Sequence, residues 1–177
     1  IKNNFKPEVI TINIDHHQSN TYYADYNYVI ERSSTSELVF DILMEGKKQI
    51  SKKTADYLYM GVASDSGLFV HGYTTSETHL TAAKLLKFGA DFEKIGELLF
   101  RTISKGRAYL TGRLFNNLEI MNEMVAISFI SQKDFDECNA EYNDSEGLIS
   151  SLDSIEGMQR CILLKQIDEM TFKASMR

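Results

Sequence analysis

The chain has 177 residues, with 19 Lys and Arg against 25 Asp and Glu for a formal net charge of -6, and 43% of its residues are apolar. A chain of this size buries roughly 70% of the surface that its unfolded form exposes, which excludes a disordered segment and allows one good core or two small ones. Its apolar runs fall far short of the ~20 residues of a membrane span, and its acidic balance excludes a broad basic face for long duplex nucleic acid while leaving room for a small anionic substrate held through a metal.

In chain order, Val9-Ile-Thr-Ile-Asn-Ile14 is a β-branched run that predicts a buried strand running straight into Asp15, His16 and His17. Ser34 and Glu37 form an S-x-x-E capping signature, followed by Leu38, Val39, Ile42 and Leu43 at helical spacing until Gly46. A second helix is expected from about Lys53, with Ala55, Leu58 and Val62 on one face, ending near Ser64-Asp65-Ser66-Gly67. A third opens at Thr74-x-x-Glu77 and carries Leu80, Ala83 and Leu86 to Gly89; a fourth starts near Asp91 and uses Phe92, Ile95 and Leu99.

Beyond Arg101 a polar stretch leads through Leu110, Leu114 and Leu118 to a β-rich module, so a domain boundary is placed near residue 120, reached through a linker helix. There Val125–Ile130, Cys161–Leu164 and Thr171–Met176 read as strands, and Asp134–Tyr142 and Glu146–Leu152 as short helices. Cys138 and Cys161, with no C-x-x-C and no nearby histidine, predict reduced core thiols, and with no leader segment read at the start a cytoplasmic location follows. The first residue is Ile1 rather than methionine, and the chain stops within an expected strand, as a piece of a longer protein would.

Four histidines occur, and two stand adjacent behind an aspartate. By composition alone such a D-H-H triplet arises with a chance of roughly 0.006. In open α/β sheets ligands collect beyond the carboxyl ends of parallel strands, where this triplet is expected to sit. An imidazole with carboxylates suits Mn2+ or another octahedral first-row ion, and Asp65, in a Gly-terminated turn, is the best further carboxylate, although an Asp in such a turn also serves as a cap. His71 and His79 read as solvated. Tyr22, Tyr23, Tyr26 and Tyr28 offer either base stacking or a strand edge or dimer surface, and Lys47, Lys48, Lys52 and Lys53 a solvated helix end.

Ile14-Asp-His-His-Gln-Ser-Asn20, Ser33-Ser-Thr-Ser-Glu-Leu38, Ser64-Asp-Ser-Gly-Leu-Phe69, Gly89-Ala-Asp91 and Lys173-Ala-Ser-Met-Arg177 together resemble the DHH family of phosphoesterases, in that family's own order and over nearly the whole chain. The branch most resembled is the bacterial oligoribonuclease and pAp phosphatase group, which hydrolyses very short RNAs and 3′-phosphoadenosine 5′-phosphate. Gly67 favours that branch, because the family's cyclic-dinucleotide phosphodiesterases usually carry lysine there.

The resemblance implies an α/β fold: a parallel-sheet DHH domain over residues 1–120, followed over 121–177 by a smaller α+β DHH-associated substrate domain, with catalysis in the cleft between them. It implies two Mn2+ ions, with Mg2+ as an alternative, and a bridging water that attacks phosphorus. His16 and Asp65 are then ligands of one metal, Asp15 a carboxylate that orients an imidazole, His17 a donor to the scissile phosphate, and Arg177 a phosphate contact. The family's earlier acidic D-x-D motif, its lone bridging aspartate and its later G-G-G-H segment are absent from this sequence, so little or no turnover is expected of these residues alone. The expected partner is a short RNA or nucleotide, with no membrane, and a homodimer is compatible. The rival expectations are a cyclic-dinucleotide phosphodiesterase and a non-catalytic nucleotide-binding module.

Overall fold

A computed structural model describes residues 9–177; Ile1 and the single proline, Pro7, lie outside the described residues. The chain forms two compact units, Ile1–Thr102 and Ile103–Arg177.

In the first unit, strand β1 (Ile12–Asp15) pairs in parallel with β2 (Tyr26–Val29), Ile14 opposite Tyr28 and Asp15 opposite Val29. The D-H-H triplet therefore does stand at the carboxyl end of a parallel strand. β1 starts later than its β-branched run, because Val9 and Ile10 are exposed and lie outside the ladder. Buried Asn13 donates to Asn20 and Asn27, which satisfies a polar group inside the pair.

Helices α1 (Thr35–Glu45), α2 (Lys52–Asp65), α3 (Ser76–Lys87) and α4 (Phe92–Gly96) follow, the last running into one π-helical turn at Glu97–Arg101. Each helix has a hydroxyl or carboxylate N-cap, at Ser34, Ser51, Thr75 and Asp91. Their common core includes Phe40, Leu58, Val62, Leu85 and Ile95. The buried face of α3 is not the expected one. Thr78, Thr81, Ala82 and Leu85 face inward, whereas Leu80, Ala83 and Leu86 are exposed, because Thr78 is drawn inward by a hydrogen-bonded partner on α1.

The second unit begins earlier than residue 120. Helix α5 (Lys105–Asn116), read as a linker, buries Leu110 and Leu114 in the second core beside Ile130, Leu148, Leu152 and Leu163, so its apolar face assigns it to this unit. Strands β3 (Glu119–Met121), β4 (Val125–Ile130), β5 (Arg160–Gln166) and β6 (Phe172–Met176) form a mixed sheet in that order. Its β4–β5 pair is parallel and its outer pairs antiparallel. Short helices α6 (Gln132–Glu137) and α7 (Ile149–Asp153) make the crossover, with a 3-10 turn at Tyr142–Ser145 between them. Cys138 and Cys161 are free and buried, as expected. Among the described residues no helix is long and apolar enough to cross a membrane.

Candidate active site

The two histidines leave β1 with different assignments. His16 Nδ1 lies 3.0 Å from the carbonyl oxygen of Arg32 and can approach it only as a donor, so the ring carries a proton there, and in the neutral ring Nε2 is bare. That Nε2 faces Asp65, whose Oδ2 is 3.8 Å away. The separation is too long for a hydrogen bond. It falls between the ~3 Å and ~4.2 Å that separate adjacent and opposite donors of one cation when bonds are about 2.1 Å. Sequence reasoning paired these two residues across forty-nine positions, and the fold brings them together.

His17 is exposed and turns its Nδ1 to Asp15 Oδ1 at 2.7 Å. Asp15 Oδ1 also accepts the backbone N–H groups of His16 and His17 at 2.8 and 3.2 Å, and Oδ2 accepts the Asn20 amide. Hydrogen bonding, led by Asn20 and then His17, holds the Asp15 carboxyl far below the usual carboxylate range. The ligand atoms of Asp15, His16 and His17 lie within 4.8 Å of one another, so the three are a geometric candidate for a metal cluster. Acceptor capacity argues for a different division of labour. A carboxylate has about four lone-pair sites, and four donors converge on Asp15, three on Oδ1, which is thereby saturated, and one on Oδ2. The oxygen of Asp15 that faces His17 is thus fully engaged, while no hydrogen bond occupies His16 Nε2 or the Asp65 carboxylate among the described residues.

Asp65 closes α2 and is followed by a left-handed turn in which Gly67, Leu68 and Phe69 have φ of 57, 56 and 67°. Two side chains hold this turn by the Asp65 carbonyl. Tyr73 donates its hydroxyl to that oxygen at 2.7 Å, and His71 Nδ1 stands 2.8 Å from it. The His71 ring lies over Gly67, where a Cβ would come within 2.5 Å of Nε2. His71 is exposed, as read from the sequence, but is engaged with the Asp65 backbone; His79 is exposed and stacks on Phe69, 5.0 Å between centroids.

An open cavity of about 630 Å³ adjoins the histidines, lined by His16, His17, Gln18, Glu31, Arg32, Tyr73 and Thr75. Of these only the two histidines were singled out from sequence. Arg32, Tyr73 and Thr75 come from loops beside α1 and α3 that carry no motif. Their one sequence signal is position: Arg32 and Tyr73 stand two residues before a helix cap, and Thr75 is the cap of α3. Arg177 belongs to the second unit, where its backbone pairs with Cys161 and its guanidinium is 3.5 Å from Asp153.

No family model matches the chain. It is 33% identical over 162 residues to the probable bifunctional oligoribonuclease and PAP phosphatase NrnA of Streptococcus mutans, covering 89% of this chain and 51% of that protein. It is 25% identical over 160 residues to the bifunctional oligoribonuclease and PAP phosphatase NrnA of Bacillus subtilis, covering 88% of this chain and 51% of the relative. The chain thus spans about half the length of these curated relatives. A crystal structure of an exopolyphosphatase-related protein from Bacteroides fragilis superimposes with a TM-score of 0.87 at 28% identity, over 94% of this chain and 50% of that one. With this fold, this D-H-H site and these relatives, the chain is similar to DHH-family phosphoesterases, and most like their oligoribonuclease and PAP phosphatase branch.

Proposed function

We propose that the chain is part of a metal-dependent phosphoesterase that hydrolyses very short RNAs to nucleoside monophosphates and 3′-phosphoadenosine 5′-phosphate to AMP. The observation that carries this reading is the pairing of His16 Nε2 with Asp65 Oδ2 at 3.8 Å, with His16 Nδ1 committed to the Arg32 carbonyl. The donor set of one imidazole nitrogen and one carboxylate fits Mn2+, with Mg2+ as the alternative. His16 and Asp65 would hold a divalent cation there, which when bound would neutralise charge on the phosphate and acidify a water for attack on phosphorus.

The chain's own residues do the remaining work. Asp15 fixes the His17 ring by accepting from Nδ1, so Nε2 points away from that carboxylate. Donation from Nε2 to a phosphate oxygen requires the imidazolium form, whose charge the Asp15 carboxylate faces at 2.7 Å. Arg32 lines the same cavity and meets Asp41 only loosely, at 3.5 Å, so its guanidinium keeps donors for a further phosphate of the substrate. Arg177 is assigned a phosphate contact from the second unit, and the first and second units the roles of DHH domain and substrate domain.

The test is hydrolysis by the longer protein that carries this sequence, with Mn2+, of RNAs a few nucleotides long and of PAP. Release of nucleoside monophosphates or of phosphate, abolished by His16→Ala, is expected. If both substrates survive, the reading is wrong; if a cyclic dinucleotide is opened instead, the branch assignment is wrong. The 177-residue chain alone is expected to turn over little.

A further inference from the structure

Glu37 is 1% exposed, and among the described residues no cationic group pairs with it. Its Ser34 cap uses only its backbone: the Glu37 N–H donates to Ser34 Oγ at 3.3 Å, while the Glu37 side chain turns inward instead of reaching back to the cap. There its carboxylate accepts a short hydrogen bond from Ser33 Oγ and lies 3.3 and 3.4 Å from the Thr78 hydroxyl. The two hydroxyls are 2.9 Å apart, and both residues are 0% exposed. A buried carboxylate satisfied by hydroxyls alone is costly unless its partners are held firmly, so the network has a reason to be rigid.

What it makes rigid is adjacent to the site. The Arg32 carbonyl belongs to the peptide bond that joins Arg32 to Ser33, and that carbonyl receives the His16 Nδ1 proton at 3.0 Å. On the other side, Thr78 receives the Thr75 N–H at 3.3 Å and donates its own N–H to Thr75 Oγ1 at 3.3 Å. Arg32 and Thr75 stand on two walls of the cavity around His16. One buried carboxylate thus ties both walls together from beneath.

We propose that Glu37 is a positioning residue: through Ser33 it fixes the Arg32 carbonyl that locks His16 in the tautomer with a bare Nε2, and through Thr78 it fixes the facing wall. The inference rests on the reading of His16 as a cation ligand, whose outer partners commonly govern affinity by 10- to 100-fold, an order-of-magnitude range. Glutamine at position 37 offers an oxygen to Ser33 and an amide to Thr78, so the network survives loss of charge. Alanine offers neither.

The experiment compares the 177-residue chain with Glu37→Gln, Glu37→Ala and Ser33→Ala. Ring-nitrogen NMR of the metal-free proteins reports the His16 tautomer, EPR titration reports Mn2+ affinity, and thermal melts report the folded fraction. Expected are an Nδ1–H tautomer at His16 in the unaltered chain and in Glu37→Gln, with Mn2+ affinities within about threefold of each other. Glu37→Ala is expected to mix the tautomers and weaken Mn2+ by about tenfold or more while still folded. If Glu37→Ala does not fold, Ser33→Ala carries the same comparison. A folded alanine variant with the parental tautomer overturns the proposal, and so does an affinity loss that only tracks the unfolded fraction. If the unaltered chain takes up no Mn2+, the metal reading fails, yet the tautomer comparison still decides the role of Glu37.

Discussion

Substituting Gly67 probes the turn that presents Asp65. Gly67 adopts φ of 57°, and an added Cβ would stand 2.5, 2.7 and 2.9 Å from three atoms of the His71 ring. A left-handed conformation costs an L-residue about 1–2 kcal/mol. The exposed His71 ring can swing aside, so the steric part reduces to its lost hydrogen bond with the Asp65 carbonyl, about 0.5–1 kcal/mol for a solvent-facing pair. Gly67→Ala is therefore expected to cost about 2 kcal/mol in total, which corresponds to a fall of roughly 10 °C in the melting temperature of a unit this size. In a His71→Ala background the ring is gone, and the same substitution should cost only the backbone share, leaving a coupling of about 0.5–1 kcal/mol. Urea denaturation of the four proteins of this cycle, followed by NMR signals from the first unit, measures both quantities. An equal cost in both backgrounds would refute the packing of His71 on Gly67, and no cost in either would refute the left-handed turn.

Two further substitutions separate α3's observed face from the one its pattern suggested. Leu85 is 0% exposed and Leu86 is 39% exposed, so Leu85→Ala should lose about 2–5 kcal/mol and Leu86→Ala well under 1 kcal/mol in the same denaturation assay. The reverse order would restore the Leu80, Ala83, Leu86 face. At Asp56 the carboxyl is held below its ordinary range, first by the Asp91 N–H at 2.8 Å and then by Lys52. A depressed carboxyl stabilises the fold above its unfolded pKa and loses that contribution as pH falls through the folded value. The stability gap between the parent and Asp56→Asn should hence be full near pH 7 and close on acidification below about pH 4. A gap that persists unchanged into acid would show that the Asp56 charge is not what joins α2 to the start of α4.

Much of the site was legible because it is carried by residue type. The β-branched run predicted a strand, and the D-H-H triplet at its end fell where a parallel strand presents ligands; Asp65 was legible as a carboxylate in a glycine turn. Other parts are held by contacts that leave no periodic trace. Strand β2 has four residues, Tyr26–Val29, and is half exposed, so neither alternation nor a continuous apolar run marks it. The phase of α3 is set by a threonine buried through its hydroxyl rather than by its leucines, and an apolar count favours the leucines. Glu37 looked like half of a capping box. Its backbone does join the cap, but its side chain is the polar floor beneath His16, and only tertiary structure brings Thr78 to it across forty-one positions. Helix α5 was visible as a helix, whereas the unit it belongs to depends on where Leu110 and Leu114 find their partners.

Whether His16 and Asp65 hold one cation between them is decided most directly by titrating Mn2+ into the 177-residue chain and into His16→Ala, Asp65→Asn and His79→Ala, with free ion counted by EPR. One site is expected in the unaltered chain and in His79→Ala, whose ring is exposed and stacked on Phe69 away from any ligand role. His16→Ala and Asp65→Asn should each weaken that site by tenfold or more, an order-of-magnitude expectation for losing one of two protein ligands. Uptake that is equal in all four proteins would contradict the assignment of both residues.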